Sequence, residues 1–182
     1  MKAEFHIHTV FSDGFVWRTT RVQEAWRDGL DVISLTDHLE YQRDKEYINP
    51  DPGRSYQLAR DLAAELGILV VPGVEMTKKF PTRPAHFNAL FVTDAGAILA
   101  DDLEKSLRRA MPQGAFVVWN VVSTDRQAFD EGLFQGIEIG NQNHFYEEAY
   151  RRHFCPRGEP HLHSPVLLRR LQLWPLRALS NS

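Results

Sequence analysis

Seven histidines and carboxylates in the first half of the chain could do metal chemistry: His6, His8, Asp13, Asp37, His38, Glu75 and His86. The tightest group is the stretch HIHTVFSDG, residues 6–14. On a strand, residues i and i+2 point to the same side, so His6 and His8 can reach one ion together. Imidazole suits Zn, Fe, Ni or Cu, and added carboxylates widen the choice to Mn. Each group has an ordinary reading when taken singly. HxH can be two polar residues on an exposed strand, Asp37 can cap a turn, and a lone His86 can be a satisfied histidine. The joint pattern is stronger than its parts, because unpaired buried charges that converge on one place are costly without a cation.

The elements that must position these groups alternate in type. AEFHIH (3–8), DVISLT (31–36), ILVVPG (68–73), FNALFV (87–92), AFVVWN (115–120) and GIEI (136–139) read as strands. TTRVQEAWRDGL (19–30) reads as a helix, with Thr20 and Gln23 as a capping box and Val22, Ala25 and Trp26 on one face. RSYQLARDLAAELG (54–67) reads as a helix that buries Tyr56, Ala59, Leu62, Ala63 and Leu66 and stops at Gly67. DDLEKSLRRAM (101–111) is a third, with Asp101 and Glu104 as its cap residues, and FYEEAYRRH (145–153) a fourth. This alternation predicts an α/β fold of parallel βα units, an open sheet or a barrel. Sites in such folds lie beyond the carboxyl ends of the strands. His6 and His8 close the first strand, Asp37 and His38 follow the second, Glu75 follows the third, and Asn120 ends a later one. His86 is the exception, since it precedes its strand.

The chain has 182 residues, 43% of them hydrophobic, which suffices for a single domain spanning 1–182 with a real core. A net charge of -3 gives no global basic field, so nucleic acid is not the favoured partner. One cysteine, Cys155, excludes a disulfide within the chain and fits a reducing, cytoplasmic setting. No apolar run approaches the roughly 18 residues needed to cross a bilayer. The stretch from about Pro156 to Ser182 breaks the alternation and reads as a loosely packed tail. Within it, SPVLLRRLQLW (164–174) could form a short helix opened by Ser164 and Pro165.

The residues resemble the PHP (polymerase and histidinol phosphatase) family. The resemblance is carried by His6-Ile7-His8, Ser12-Asp13-Gly14, Thr36-Asp37-His38, Gly73-Val74-Glu75 and His86. Supporting context comes from GLDVISLTDHLEY, ILVVPGVE, HFNALFVTD and GAFVVWN. It implies a distorted (β/α)7 barrel with up to three divalent ions (Zn, Mn or Fe) at one rim. His6 and His8 would bind one ion, and Glu75 would bridge it to a second that His86 also binds. Asp13 and His38 would hold the third. The implied activity is hydrolysis of phosphate esters by metal-activated water, with Glu75 and Asp37 as the catalytic carboxylates. The substrate would be a small phosphorylated metabolite or nucleotide, with Arg18, Arg43 and Lys78 as phosphate-binding residues of the rim loops.

Two stretches depart from the family pattern. Where the family has Asn-His-Pro, with a ligating histidine, this chain has Asn120-Val121-Val122. Where the family ends in Ser-Asp-x-His, the nearest match is Pro160-His161-Leu162-His163, so His163 could be the last ligand and His161 a neutral replacement for the Asp. The chain also ends before the expected last elements, which predicts an incomplete barrel. Its open sheet edge could be covered by the Leu-rich tail or by a second copy in a homo-oligomer. These departures leave two other readings: a catalytically impaired PHP-like protein that binds metal or a partner, and a nuclease of the same family.

Overall fold

The computed structural model describes residues 1–42, 46–48, 53–80, 83–120, 131–138 and 166–168. Strand β1 (Ala3–Ile7) is followed by helix α1 (Arg18–Arg27), β2 (Val32–Leu35), α2 (Arg54–Glu65) and β3 (Leu69–Val70). These strands form a parallel sheet in the order β1-β2-β3, with the two helices as crossovers. One cluster of apolar side chains fills the space between sheet and helices. Ile7, Ile33, Leu35 and Val70 come from the strands, and Val22, Ala25, Ala59 and Ala63 from the helices. Gly67, at φ +75, ends the second helix in a conformation that a Cβ would disfavour.

The second sheet differs from the sequence expectation. β4 (Gly73–Phe80) and β5 (Arg83–Leu90) are two long strands paired antiparallel, and β6 (Phe116–Trp119) pairs antiparallel with β5. Only β6, β7 (Gly136–Glu138) and β8 (Val166–Leu168) continue in parallel. Val74, Met76, Phe87 and Ala89 alternate onto the inner face and meet Leu103 and Leu107 of α4 (Leu103–Ala110), which follows the short α3 (Ala95–Ile98). Phe87 stacks on Trp119 with ring centres 5.7 Å apart. The opposite parity carries Glu75, Thr77, His86 and Asn88, because Glu75 pairs with Asn88 and Thr77 with His86. Glu75 therefore lies inside a strand rather than after one, and His86 lies within its strand rather than before it.

The sheets meet where the site forms. A parallel bridge pairs His38 with Glu75, and the Leu39 amide donates to the Glu75 carbonyl at 2.7 Å while the Glu75 amide donates to that of Asp37 at 3.0 Å. The described strands otherwise form two sheets and do not close into a barrel.

Local corrections have simple causes. The first helix starts at Arg18 after Trp17, and no side chain caps it, so the Thr20–Gln23 box is not the start. Its Trp26 is 58% exposed, while Val22 and Ala25 are buried. Asp102, not Asp101 or Glu104, caps the helix at 103–110, accepting from the Lys105 amide at 2.9 Å. Residues 166–168 are a strand paired with 136–138, so the expected helix over 164–174 is not formed there. Its three apolar residues Val166, Leu167 and Leu168 are as fit for a strand as for a helix turn, and the pairing decides. The helix expected over 145–153 and most of the tail lie outside the described residues. Among the described residues, no helix is long and apolar enough to cross a membrane.

Candidate metal centre

β1 ends at Ile7, so His6 and His8 leave it on one side, and both Nε2 atoms turn toward Glu75. His6 Nε2 is 3.0 Å and His8 Nε2 2.9 Å from Glu75 Oε2, and the two nitrogens are 2.9 Å apart. On the other oxygen, His86 Nδ1 lies 2.8 Å from Glu75 Oε1. His38 completes the ring of imidazoles, with Nδ1 at 3.8 Å from Glu75 Oε2. Glu75 is 2% exposed. Three donor groups result: His6, His8 and Glu75; His8, Asp13 and His38; and His38, Glu75 and His86, each with its donor atoms within 4.8 Å of one another. In the first, donor atoms about 3 Å apart suit a shared ion whose bonds are about 2.0–2.2 Å long. The mixture of imidazole and carboxylate suits a divalent transition ion.

The SDG turn is held by a buried scaffold. Asp37 Oδ1 accepts from the Thr9 amide at 2.7 Å and from the Ser12 hydroxyl at 2.6 Å. Asp37 Oδ2 accepts from the Thr9 hydroxyl at 2.7 Å and from the Ser55 hydroxyl at the start of the second helix. Gly14 packs against the chain at His8, where a Cβ would come within 2.7 Å of the His8 carbonyl carbon and oxygen. Asp13 is thereby carried back to the histidines, with Oδ1 at 3.0 Å from His8 Nδ1 and Oδ2 at 3.5 Å from His38 Nε2. The same carboxylate is 48% exposed, so this side of the centre is open to solvent.

A two-domain protein from Bacteroides vulgatus, described as containing a predicted PHP-like metal-dependent phosphoesterase, superposes with a TM-score of 0.76 and 36% sequence identity. The match covers 91% of this chain and 53% of that one. The chain belongs to the PHP-like family. This PHP-like chain spans about half the length of that relative. An amidohydrolase from Chromobacterium violaceum, with bound sulfate and no metal, shares the fold at a TM-score of 0.61 and 14% identity. That match covers 84% of this chain and 81% of the other. No protein-family profile matches the chain, and no curated protein does.

The electrostatics of the PHP-like centre follow from burying one carboxylate among imidazoles. Burial alone would raise Glu75, but His6, His8 and His86 outweigh it and hold it well below the usual carboxylate range. Burial alone would lower His6, but Glu75 and Glu138 push it up to about 10. His8 likewise reaches about 9, raised by Asp13 and Glu75 against its burial. Asp13 is lowered by its contacts with His38 and His8. Without a cation, protons on the imidazoles balance the buried negative charge, and a metal ion would take their place.

The structure brings together His6, His8, Asp13, His38, Glu75 and His86. Asp37 sits beside them, but its oxygens are taken up by Thr9, Ser12 and Ser55. Lys78 reaches Glu40 at 3.6 Å, and the Arg18 guanidinium lies 5.7 Å from the ring centres of both Phe11 and Trp17. Arg43, Val121, His161 and His163 lie outside the described residues. Thr77 was not anticipated. Its hydroxyl sits 2.8 Å from His38 Nδ1 and 3.1 Å from His86 Nδ1, linking two imidazoles. The alternation Val74-Glu75-Met76-Thr77 was the available signal, since it puts Thr77 on the face of Glu75.

Proposed function

We propose that this domain is a divalent-metal-dependent phosphoesterase acting on a small phosphorylated metabolite or nucleotide. The observation that supports it best is the buried Glu75 carboxylate with imidazoles on both of its oxygens. The fold is read as a (β/α)7-type barrel, with the three donor groups on one rim. Divalent ions held there supply Lewis acidity toward phosphate oxygens and lower the pKa of water.

The chain's own residues do the positioning. Glu75 ties two donor groups together, His6 and His8 close one, and His38 and His86 close the other. Asp13 completes the third donor group with His8 and His38 on the side open to solvent. Asp37 locks the turn that carries Asp13, a positioning role. Arg18, held on Phe11 and Trp17, offers its guanidinium to a substrate phosphate. His161 and His163 remain candidate ligands, and Arg43 and Lys78 candidate phosphate-binding residues.

The impaired reading draws on Val121, which stands where the family has a ligating histidine. The described geometry favours the active reading, because His38, Glu75 and His86 form a donor group without residue 121. The test is hydrolysis of phosphomonoesters, phosphodiesters and single-stranded DNA by chelator-treated protein with and without Mn or Zn. Metal-restored turnover of a monoester, lost in Glu75→Gln, supports the proposal. Metal binding without turnover on any substrate supports the impaired reading, and turnover confined to DNA supports a nuclease.

A further inference from the structure

His6 has two ring nitrogens, and only one of them faces the donor groups. Nε2 points at Glu75 and His8, while Nδ1 lies 3.5 Å from Glu138 Oε2. Glu138 ends the strand at 136–138, in the other sheet from His6. Its side chain thus reaches from one sheet toward a histidine of the other. It is 3% exposed. A carboxylate in that position is costly unless it has a partner.

The surroundings show that the place is built. A small cavity of about 10 Å³ is lined by His6, Asn88, Asn120 and Glu138 together with Phe5, Leu90 and Val118. Asn88 Oδ1 and both side-chain polar atoms of Asn120 are buried without a hydrogen-bond partner among the described residues. Asn88 is 3% exposed and Asn120 1%. Each is also tied to the backbone beside a proposed ligand. The Asn88 amide group donates to the Phe5 carbonyl at 3.3 Å, and the Asn120 backbone N–H donates to the His86 carbonyl at 2.8 Å. Buried polar atoms that lack protein partners are commonly satisfied by an internal water, and the cavity is at the lower limit for one.

We propose that Glu138 is a positioning residue for the metal centre, accepting the Nδ1–H of His6, and that one internal water links its carboxylate to Asn88 and Asn120. The inference rests on the metal-centre reading above. With the proton on Nδ1, the lone pair of Nε2 is directed at the ion shared with His8 and Glu75. A carboxylate behind a ligating imidazole fixes its tautomer and ring orientation and raises its basicity. The water holds the carboxylate in turn, so the arrangement extends from the ion site to Asn88 in β5 and to Asn120 just after β6.

The test uses the whole chain with Glu138→Ala and Glu138→Gln, and Co2+ as the probe. Affinity is read by competition with a chromophoric chelator, and ligand geometry by the visible absorption of bound Co2+. Circular dichroism and thermal unfolding of the metal-free proteins report on the fold. The expected result is a loss of about 10–100-fold in affinity for Glu138→Ala with an altered Co2+ spectrum. Glu138→Gln, which keeps an acceptor oxygen but no charge, should lose several-fold with unfolding close to that of the unsubstituted protein. If the alanine variant does not fold, the glutamine variant decides. Wild-type affinity and spectrum in the folded variants overturn the role of Glu138 and leave the metal centre standing. A wild-type chain that takes up no Co2+ overturns both.

Discussion

Glu75 divides its carboxylate between two sets of imidazoles, with Oε2 within 3.0 Å of both His6 and His8 and Oε1 at 2.8 Å from His86. The division depends on strand parity. The hairpin of residues 73–90 turns Glu75 and His86 to one face, while its other face is buried in the core. His6 and His8 arrive from a different sheet, joined to the hairpin by the bridge between His38 and Glu75. The site therefore lies at a seam, and the residues that hold the seam matter as much as the ligands.

Asp37 holds the Thr9–Gly14 turn through four hydrogen bonds from Thr9, Ser12 and Ser55. We predict that Asp37→Asn destabilises the metal-free protein by about 1–3 kcal/mol, because one oxygen becomes an NH2 group facing donors. Urea unfolding measures it. A change below about 0.5 kcal/mol, in the range of ordinary surface substitutions, would show that the turn does not depend on this carboxylate.

Metal uptake should release protons. In the metal-free protein the carboxylates of Glu75, Glu138 and Asp13 raise His6 and His8 from 6.5 to about 10 and about 9, which favours a proton on this pair at neutral pH. Raised histidines contribute stability that is fully present below about pH 6.5 and is lost as pH rises through 9 to 10. We predict that the metal-free protein loses stability over that window and that metal restores it. At pH 7, filling the group of His6, His8 and Glu75 should release at least one proton. Calorimetric titration in buffers of different ionisation heat counts them, and uptake with no proton release contradicts the assignment.

Glu4 is a separate case. Burial pushes its carboxyl up to about 8 from 4.5, against hydrogen bonds from the His6 and Phe5 amides. Because the folded value is raised, the stability it allows is present below about pH 4.5 and lost as pH rises to about 8. We predict that Glu4→Gln is more stable than the unsubstituted protein at pH 8.5, by on the order of 1–4 kcal/mol, with the gap closing toward pH 5. Thermal unfolding across that range should show the two curves converging on acidification. Parallel curves would show that Glu4 is not a buried, uncompensated acid.

The clustering histidines and carboxylates were legible because each stands beside an apolar strand segment, and HxH and TDH keep their partners within two residues. The first sheet was legible for the same reason, since its parallel strands alternate with amphipathic helices. The hairpin was not. Its Lys78-Lys79-Phe80-Pro81 run and Pro84 look like a loop, and only the long-range pairing of 73–80 with 83–90 makes it a sheet. Glu138 was read only as part of a strand, since nothing in GIEI signals that its carboxylate reaches His6 across the seam. Asp37 was given a catalytic role by the family resemblance. Its hydrogen bonds to residues 28 and 18 positions away could not be read from local pattern.

The most direct test is the metal content of the purified protein. Chain dialysed against micromolar Mn or Zn and then against metal-free buffer is assayed by elemental analysis, beside a His6→Ala, His8→Ala double variant and Glu75→Gln. Loss of supporting contacts alone can cost a metal site about 10–100-fold in affinity, so removing direct ligands should cost at least that much. The account predicts at least one ion per chain in the unsubstituted protein and little in either variant, with all three folded by circular dichroism. Equal metal content in the three proteins, or none in any, would contradict it.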